Sequence, residues 1–171
     1  VQPLYTVHDV DRVFQQLVAV RYEKDVDVGR GVRFRFVEAG HILGSAIVYA
    51  TAPGPDRDRT LTFSGDLGRR GLPLLKPAAA VPPADVLVSE STYGNRLHVP
   101  VDDTITKLYA AVRETVARGG KVLIPAFSLG RTQLIIHYLQ QGLREGKIPK
   151  VPIHVDSPLA ADVADVYRAH P

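Results

Sequence analysis

The chain carries two rhythms of apolar and polar positions. It opens with a helical one. Val10, Val13, Phe14, Leu17 and Val18 recur at the three- and four-residue spacing of a single helix face, and Thr6 with Asp9 three positions on has the form of a capping box. The period then drops to two. "VRFRFVEAG" sets charged residues against apolar ones, as a half-exposed strand does. "AIVYATA" and "RTLTFSG" are strand-like runs joined by the turn-rich "PGPDRD", which predicts an antiparallel hairpin. "ADVLVSE" is shorter and nearly all apolar, the pattern of a strand buried on both faces.

From Asp102 the rhythm alternates between strand and helix. "DDTITKLYAAVRETVARGG" places Ile105, Leu108, Val112 and Val116 on one stripe, with Asp102 as the expected cap and Gly119 as the stop. "KVLIPA" reads as a buried strand, "RTQLIIHYLQQGL" as a helix and "VPIHV" as a further strand. "SPLAADVADVYRAH" is a last helix, with Ser157 as cap and Pro158 in its first turn. That order predicts a parallel sheet covered by helices, and the boundary between the two halves falls near "GNRLHVP".

Composition narrows the picture. The 171 residues, 45% hydrophobic and 23% charged, can bury the core of one domain or two small ones. No apolar run approaches a membrane span, and the N-terminus lacks the layout of a signal peptide. Cysteine is absent, which excludes disulfides and thiolate metal sites and accords with a cytoplasmic location. The net charge of +3 suits a polyanionic partner. Methionine is absent even at position 1, and a helical pattern still runs at the last residues, so the chain is expected to be an internal segment of a longer protein.

Three predicted strands end in residues able to do chemistry. His41 stands in "EAGHILGSA", at a glycine-flanked corner where packing alone would accept a leucine; a solvated loop histidine is the alternative. Asp66 stands in "FSGDLG", where ordinary turn chemistry would also explain it, and Glu90 stands in "VLVSESTYGN", where it could be a strand-end charge facing water. Strand ends of this kind are where α/β proteins put their sites. A second kind of site is read in "PAFSLGRTQ" and "HVDSPLA". Each is a small-residue turn before a helix whose N–H groups could hold a phosphate, with Ser128, Gly130, Arg131 and Ser157 as the substrate-binding candidates. Ordinary α/β turn chemistry accounts for them equally well. Arg69 and Arg70 either contact such a phosphate or are solvated.

"AGHILGSA", "FSGDLG", "SESTYGN" and "IPAFSLGRTQ", in this order and at these separations, resemble the β-CASP nucleases. These form the RNA-processing branch of the metallo-β-lactamase superfamily, which includes ribonuclease J and the endonuclease that cleaves pre-mRNA before polyadenylation. "PLYTVHDVDRV" is similar to the lead-in those proteins carry, and the resemblance covers essentially the whole chain. It implies an α/β fold in two parts. Residues 1–98 would be the C-terminal portion of the metallo-β-lactamase core, a partial αββα-type sheet, and residues 99–171 the beginning of a β-CASP α/β domain with parallel strands.

The resemblance also implies a metal-dependent hydrolase of RNA phosphodiesters, with three catalytic residues here. His41 would bind one of two zinc ions, and Asp66 would bridge both. Glu90 would bind no metal and would hydrogen-bond a histidine that protonates the leaving oxygen. Imidazole and carboxylate are suitable zinc donors in a cysteine-free site. The family's His-x-His-x-Asp-His motif belongs upstream of residue 1, and two further histidines belong downstream of residue 171. A catalytic zinc takes three protein ligands and a water. With only His41 and Asp66 recognised, the 171 residues alone are expected to hold zinc poorly and to be inactive. His8, His98, His137, His154 and His170 are read as structural.

The partners implied are single-stranded RNA, the upstream and downstream parts of the same protein and a second copy in a homodimer, with no membrane. Three rivals remain at this point. One is a DNA-processing nuclease of the same superfamily, and another a relative that hydrolyses thioesters or lactams. The third is a metal-free paralogue acting as an RNA-binding or assembly scaffold. "ESTYG" and "SLGRTQ" favour the RNA branch, and intact His41 and Asp66 speak against the scaffold.

Overall fold

The computed structural model describes residues 3–170, with Val1, Gln2 and Pro171 outside it. The first helix forms as α1 (Val7–Phe14). The Asp9 carboxylate accepts from both the Thr6 backbone N–H (2.9 Å) and the Thr6 hydroxyl (2.8 Å), so the expected capping pair is in place. The helix stops before Leu17 and Val18, and Val7, Val13 and Phe14 stay more than half exposed. No described element packs against this stripe.

Five strands follow in one sheet: β1 (Asp25–Asp27), β2 (Arg33–Glu38), β3 (Ala46–Ala52), β4 (Arg59–Phe63) and β5 (Val86–Val88). They lie side by side in chain order, antiparallel from β1 to β4, with β5 parallel to β4. The hairpin read from "PGPDRD" is the β3–β4 connection. One consequence positions the site. Because β2 and β4 both run antiparallel to β3, and β5 follows β4, the C-terminal ends of β2, β4 and β5 emerge at the same edge.

The alternation in β2 holds only in part: Phe34 and Phe36 share one face but stay half-buried, and the buried residue of the strand, Val37, lies on the face of Arg33 and Arg35. Val37 is buried opposite Ile47 of β3, beside Ala39, with Ala79 and Val81 packed over them. Arg35 reaches Asp25 on β1 through two bonds of 2.9 Å at the surface. The start of β5 is pinned by Asp85. Its carboxylate accepts the Thr60 N–H (2.8 Å) and hydroxyl (3.0 Å) and pairs with Arg57, and the Arg57 bond does most to hold the Asp85 carboxyl far below the usual carboxylate range. β5 itself corrects an expectation. It is not buried on both faces: Val86, Leu87 and Val88 are 49%, 65% and 52% exposed. An all-apolar run buries itself only when layers cover it, and β5 is a three-residue edge strand paired on one side.

The second half contains α2 (Val101–Ala117), α3 (Arg131–Arg144) and α4 (Pro158–Ala169). Its core is Tyr109, Val112, Leu139 and Ile148, flanked by Ile105, Leu108, Val116, Ile135 and Leu143, so the stripe read for α2 is the face it buries. Pro100, and not Asp102, is the N-cap of α2; Asp102 lies in the first turn, where its charge favours the positive helix end. Gly119 ends the helix at φ +72°, with its N–H bonded to Val116 and that of Gly120 to Thr115, a double closure that glycine accommodates without strain. Gly142 lets α3 approach α2, since a Cβ there would lie 2.7 Å from the Tyr109 ring. The strands expected at "KVLIPA" and "VPIHV" do not form, so the predicted parallel sheet is absent among the described residues. A strand exists by pairing, and these segments have no hydrogen-bonded strand partner among the described residues; Pro125 and Pro152 also lack an N–H to donate.

Candidate active site

The corner holding His41 is built from its own motif. The Ser45 hydroxyl accepts the N–H groups of His41 (3.0 Å) and Ile42 (3.2 Å), and the Ser45 carbonyl accepts those of Ala39 (3.1 Å) and the Tyr22 hydroxyl (2.8 Å). Glu38, at the end of β2, turns its carboxylate back onto the Gly40 N–H (2.8 Å). Gly40 has φ +67°, and a Cβ on it would sit 2.6 Å from the Lys76 carbonyl oxygen. The glycine therefore lets the corner press against the 76–78 segment. The imidazole is left exposed at the sheet edge.

Asp66 is presented by the loop after β4. Ser64 is buried; its N–H bonds the Val88 carbonyl (2.9 Å), and its hydroxyl accepts the Glu90 N–H (3.0 Å) while donating to Gly65 (2.7 Å). One serine thus links the ends of β4 and β5. Gly68 brings the loop to β2, its N–H bonding the Ala39 carbonyl (2.8 Å). The approach is so close that a Cβ on Gly68 would fall 1.6 Å from the Gly40 carbonyl oxygen and 2.7 Å from the His41 nitrogen.

The result is a juxtaposition of residues 25 apart in the chain. His41 Nε2 lies 3.9 Å from Asp66 Oδ2, with the two side chains 46% and 73% exposed. The Glu90 carboxylate accepts the N–H of Leu67, the residue after Asp66. That bond, with smaller contributions from Thr92 and His41, holds the Glu90 carboxyl below its ordinary range despite the opposing effect of partial burial. Glu90 is thereby a brace on the loop that carries Asp66.

Donor chemistry and spacing fit a shared cation. Two donors on one zinc, each bonded at about 2 Å, lie roughly 3–4 Å apart. They fit as part of a centre only, because no group of three metal-ligating side chains forms among the described residues.

Ser128 and Ser157 also come together, their hydroxyl oxygens 3.1 Å apart, and the buried Gln133 amide bonds the carbonyls of Ser128 (3.0 Å) and Ala160 (3.1 Å). Ser157 caps α4 as expected, accepting the Ala160 N–H at 3.2 Å. Gly130, with φ +77°, caps α3 and faces the His41 corner: a Cβ on it would lie 3.2 Å from the Ile42 side chain. The N–H groups of Arg131 and Thr132, which the sequence offers to a phosphate, are taken by the carbonyls of Leu129 and Phe127. Arg131 is itself exposed. Arg69 bonds the Val99 carbonyl and ties the Asp66 loop to the start of α2. His98 packs on Tyr93 and His137 on Tyr138. Sequence reasoning missed Ser64, Gly68 and Tyr22; of these only the repeated glycine of "SGDLG" leaves a local trace.

No protein-family model matches the chain. Curated relatives do. It is similar to Ribonuclease TTHA0252 of Thermus thermophilus, 36% identical over 166 residues, which is 97% of this chain and 37% of the relative. An RNase J-like protein of Methanocaldococcus jannaschii is 34% identical over 169 residues, 97% of this chain and 39% of the relative. Cleavage and polyadenylation specificity factor 73 of Drosophila melanogaster is 33% identical over 172 residues, 99% of this chain and 24% of the relative. The chain therefore spans between about a quarter and two-fifths of the length of these three relatives. Over nearly its whole length the chain is thus similar to part of these β-CASP metallo-β-lactamase RNA nucleases.

Proposed function

We propose that this chain is part of a cytoplasmic, zinc-dependent nuclease that hydrolyses phosphodiester bonds of single-stranded RNA, with residues 1–98 in its metallo-β-lactamase core and 99–171 opening its β-CASP domain. The observation that carries the reading is the 3.9 Å approach of His41 Nε2 to Asp66 Oδ2, on a loop braced by Glu90. The names of the relatives, a ribonuclease and an RNase J-like protein, support RNA as the substrate. The net charge of +3 suits such a polyanion.

When bound, two zinc ions supply a water of lowered pKa and positive charge against the phosphodiester. The chain's own residues provide the setting. His41 offers a ring nitrogen from a corner fixed by Ser45, and Asp66 offers a carboxylate from a loop fixed by Ser64, Gly68 and Glu90. The remaining donors lie outside these 171 residues. Ser128 and Ser157, in hydroxyl contact, and Arg131, next to the Gly130 that approaches Ile42, would hold backbone phosphates by hydroxyl bonds and a guanidinium fork.

The test is cleavage of labelled single-stranded RNA by the full-length protein. Turnover is expected with zinc, loss with a chelator and recovery on zinc addition, with single-stranded DNA of the same sequence cut far more slowly. The 171 residues alone are expected to give no turnover even at saturating zinc, because no group of three metal-ligating side chains forms among the described residues to lower the pKa of a water. Cleavage by the short chain that depends on His41 would place the metal site elsewhere.

A further inference from the structure

Between Glu90 and α2 the "STYGNRLH" loop carries an aromatic cluster that the proposed chemistry does not use. The Arg96 guanidinium lies 4.1 Å over the centre of the Tyr93 ring, and the His98 ring is 4.9 Å away on centroids, tilted by 49°. The cluster does not serve a hydrophobic core: every residue from Ser91 to Pro100 is exposed, and Tyr93 is 48% exposed. Tyr93 also sits at φ +57°, the left-handed region where a bulky residue is strained, within a turn closed by the Gly94 N–H on Ser91 and the Arg96 N–H on Tyr93. Glycine or asparagine would fill that position with less strain, so the ring is what the strained backbone holds in place. Tyr93 stands three positions after Glu90, which bounds their Cα separation at about 11 Å. The turn that carries the ring therefore follows directly on Glu90, whose carboxylate braces the Asp66 loop.

We propose that Tyr93, Arg96 and His98 form a stacking platform for a nucleobase of single-stranded RNA beside the His41–Asp66 site. An exposed aromatic face next to a guanidinium plane takes any base by its π-face, without sequence readout, while the arginine charge favours the neighbouring phosphate. The platform orients the strand across the sheet edge by the base, and the hydroxyls of Ser128 and Ser157 remain for the backbone. This inference rests on the RNA-cleaving reading, and its test separates the two.

The test measures equilibrium binding by the full-length protein of two short RNA oligomers of equal length and charge, one with bases and one abasic. A 2-aminopurine is placed at successive positions of the first as a stacking reporter. Tyr93→Asn removes the ring and suits the left-handed backbone; Tyr93→Phe keeps the ring. The expected result is that Tyr93→Asn weakens binding of the base-bearing oligomer about 5- to 100-fold and abolishes 2-aminopurine quenching at one position. The same variant should leave the abasic oligomer unaffected, and Tyr93→Phe should behave as wild type. If Tyr93→Asn binds the base-bearing oligomer as tightly as wild type, or weakens both oligomers alike, the platform is overturned while RNA cleavage by the wild type still stands. A wild type that neither binds nor cleaves RNA overturns the functional reading and the platform together.

Discussion

Asp66→Ala in the full-length protein should lower single-stranded RNA cleavage by about a thousandfold or more. Asp66 is proposed to serve two cations at once. A bound cation contributes several kcal/mol of charge stabilisation to the transition state, and each 1.36 kcal/mol is about tenfold in rate. Asp66→Asn should be nearly as damaging, because it keeps the shape and removes the charge. The loss can be separated from unfolding: the Asp66 side chain is 73% exposed and supports no core, so the variants should unfold at wild-type denaturant concentration. Single-turnover cleavage at saturating zinc is the measurement. A variant retaining more than about a tenth of wild-type rate would remove Asp66 from the site.

Gly68→Ala carries the second large expectation, and it acts through geometry. A single added methyl would have to occupy space 1.6 Å from the Gly40 carbonyl oxygen and 2.0 Å from its carbon, both backbone atoms that no rotamer change can move. The two loops must separate, which breaks the Gly68–Ala39 bond and pulls Asp66 away from His41. The cost expected is about 3 kcal/mol, at the upper end of overpacking effects, read as a lowered midpoint in urea at unchanged slope. Gly44→Ala is the matched control. Gly44 stands in the same motif at φ +86° with open space around its Cβ position, so only the left-handed backbone penalty of about 1–2 kcal/mol applies. Equal midpoints for Gly68→Ala and wild type would show that the loops do not meet as described.

The contrast between these glycines shows where a sequence is legible. Local rules work where cause and effect lie within a few residues. Thr6 with Asp9, Ser157 with Ala160 and Gly119 after α2 all do what their spacing implies. The turn chemistry of "PGPDRD" specifies the β3–β4 hairpin, because a short turn selects the partner strand. The same reasoning fails where the outcome depends on a neighbour. β5, "KVLIPA" and "VPIHV" have equally apolar patterns, yet the first is an exposed edge strand and the others do not pair.

The site divides the same way. His41, Asp66 and Glu90 are visible as reactive groups after predicted strands, and the common direction of β2, β4 and β5 brings those strand ends to one edge. What holds them there is written across the chain. The Glu90 bond to the Leu67 N–H, the bridging hydroxyl of Ser64 and the passage of Gly68 over Gly40 join residues more than twenty positions apart and leave no periodic trace. Ser128 and Ser157 are each readable as turn residues, but their hydroxyl contact is not.

The central claim assigns metal binding to His41 and Asp66 and a bracing role to Glu90. Metal content of purified full-length wild type, Asp66→Ala and Glu90→Ala, measured after dialysis against trace zinc, tests it most directly. Wild type should retain about two zinc ions per chain, and Asp66→Ala should lose most of both. Glu90→Ala should keep its zinc while cleavage slows, because Glu90 acts on the loop through the Leu67 N–H and not on the metal. Zinc loss from Glu90→Ala as complete as from Asp66→Ala would make Glu90 a ligand and contradict the account.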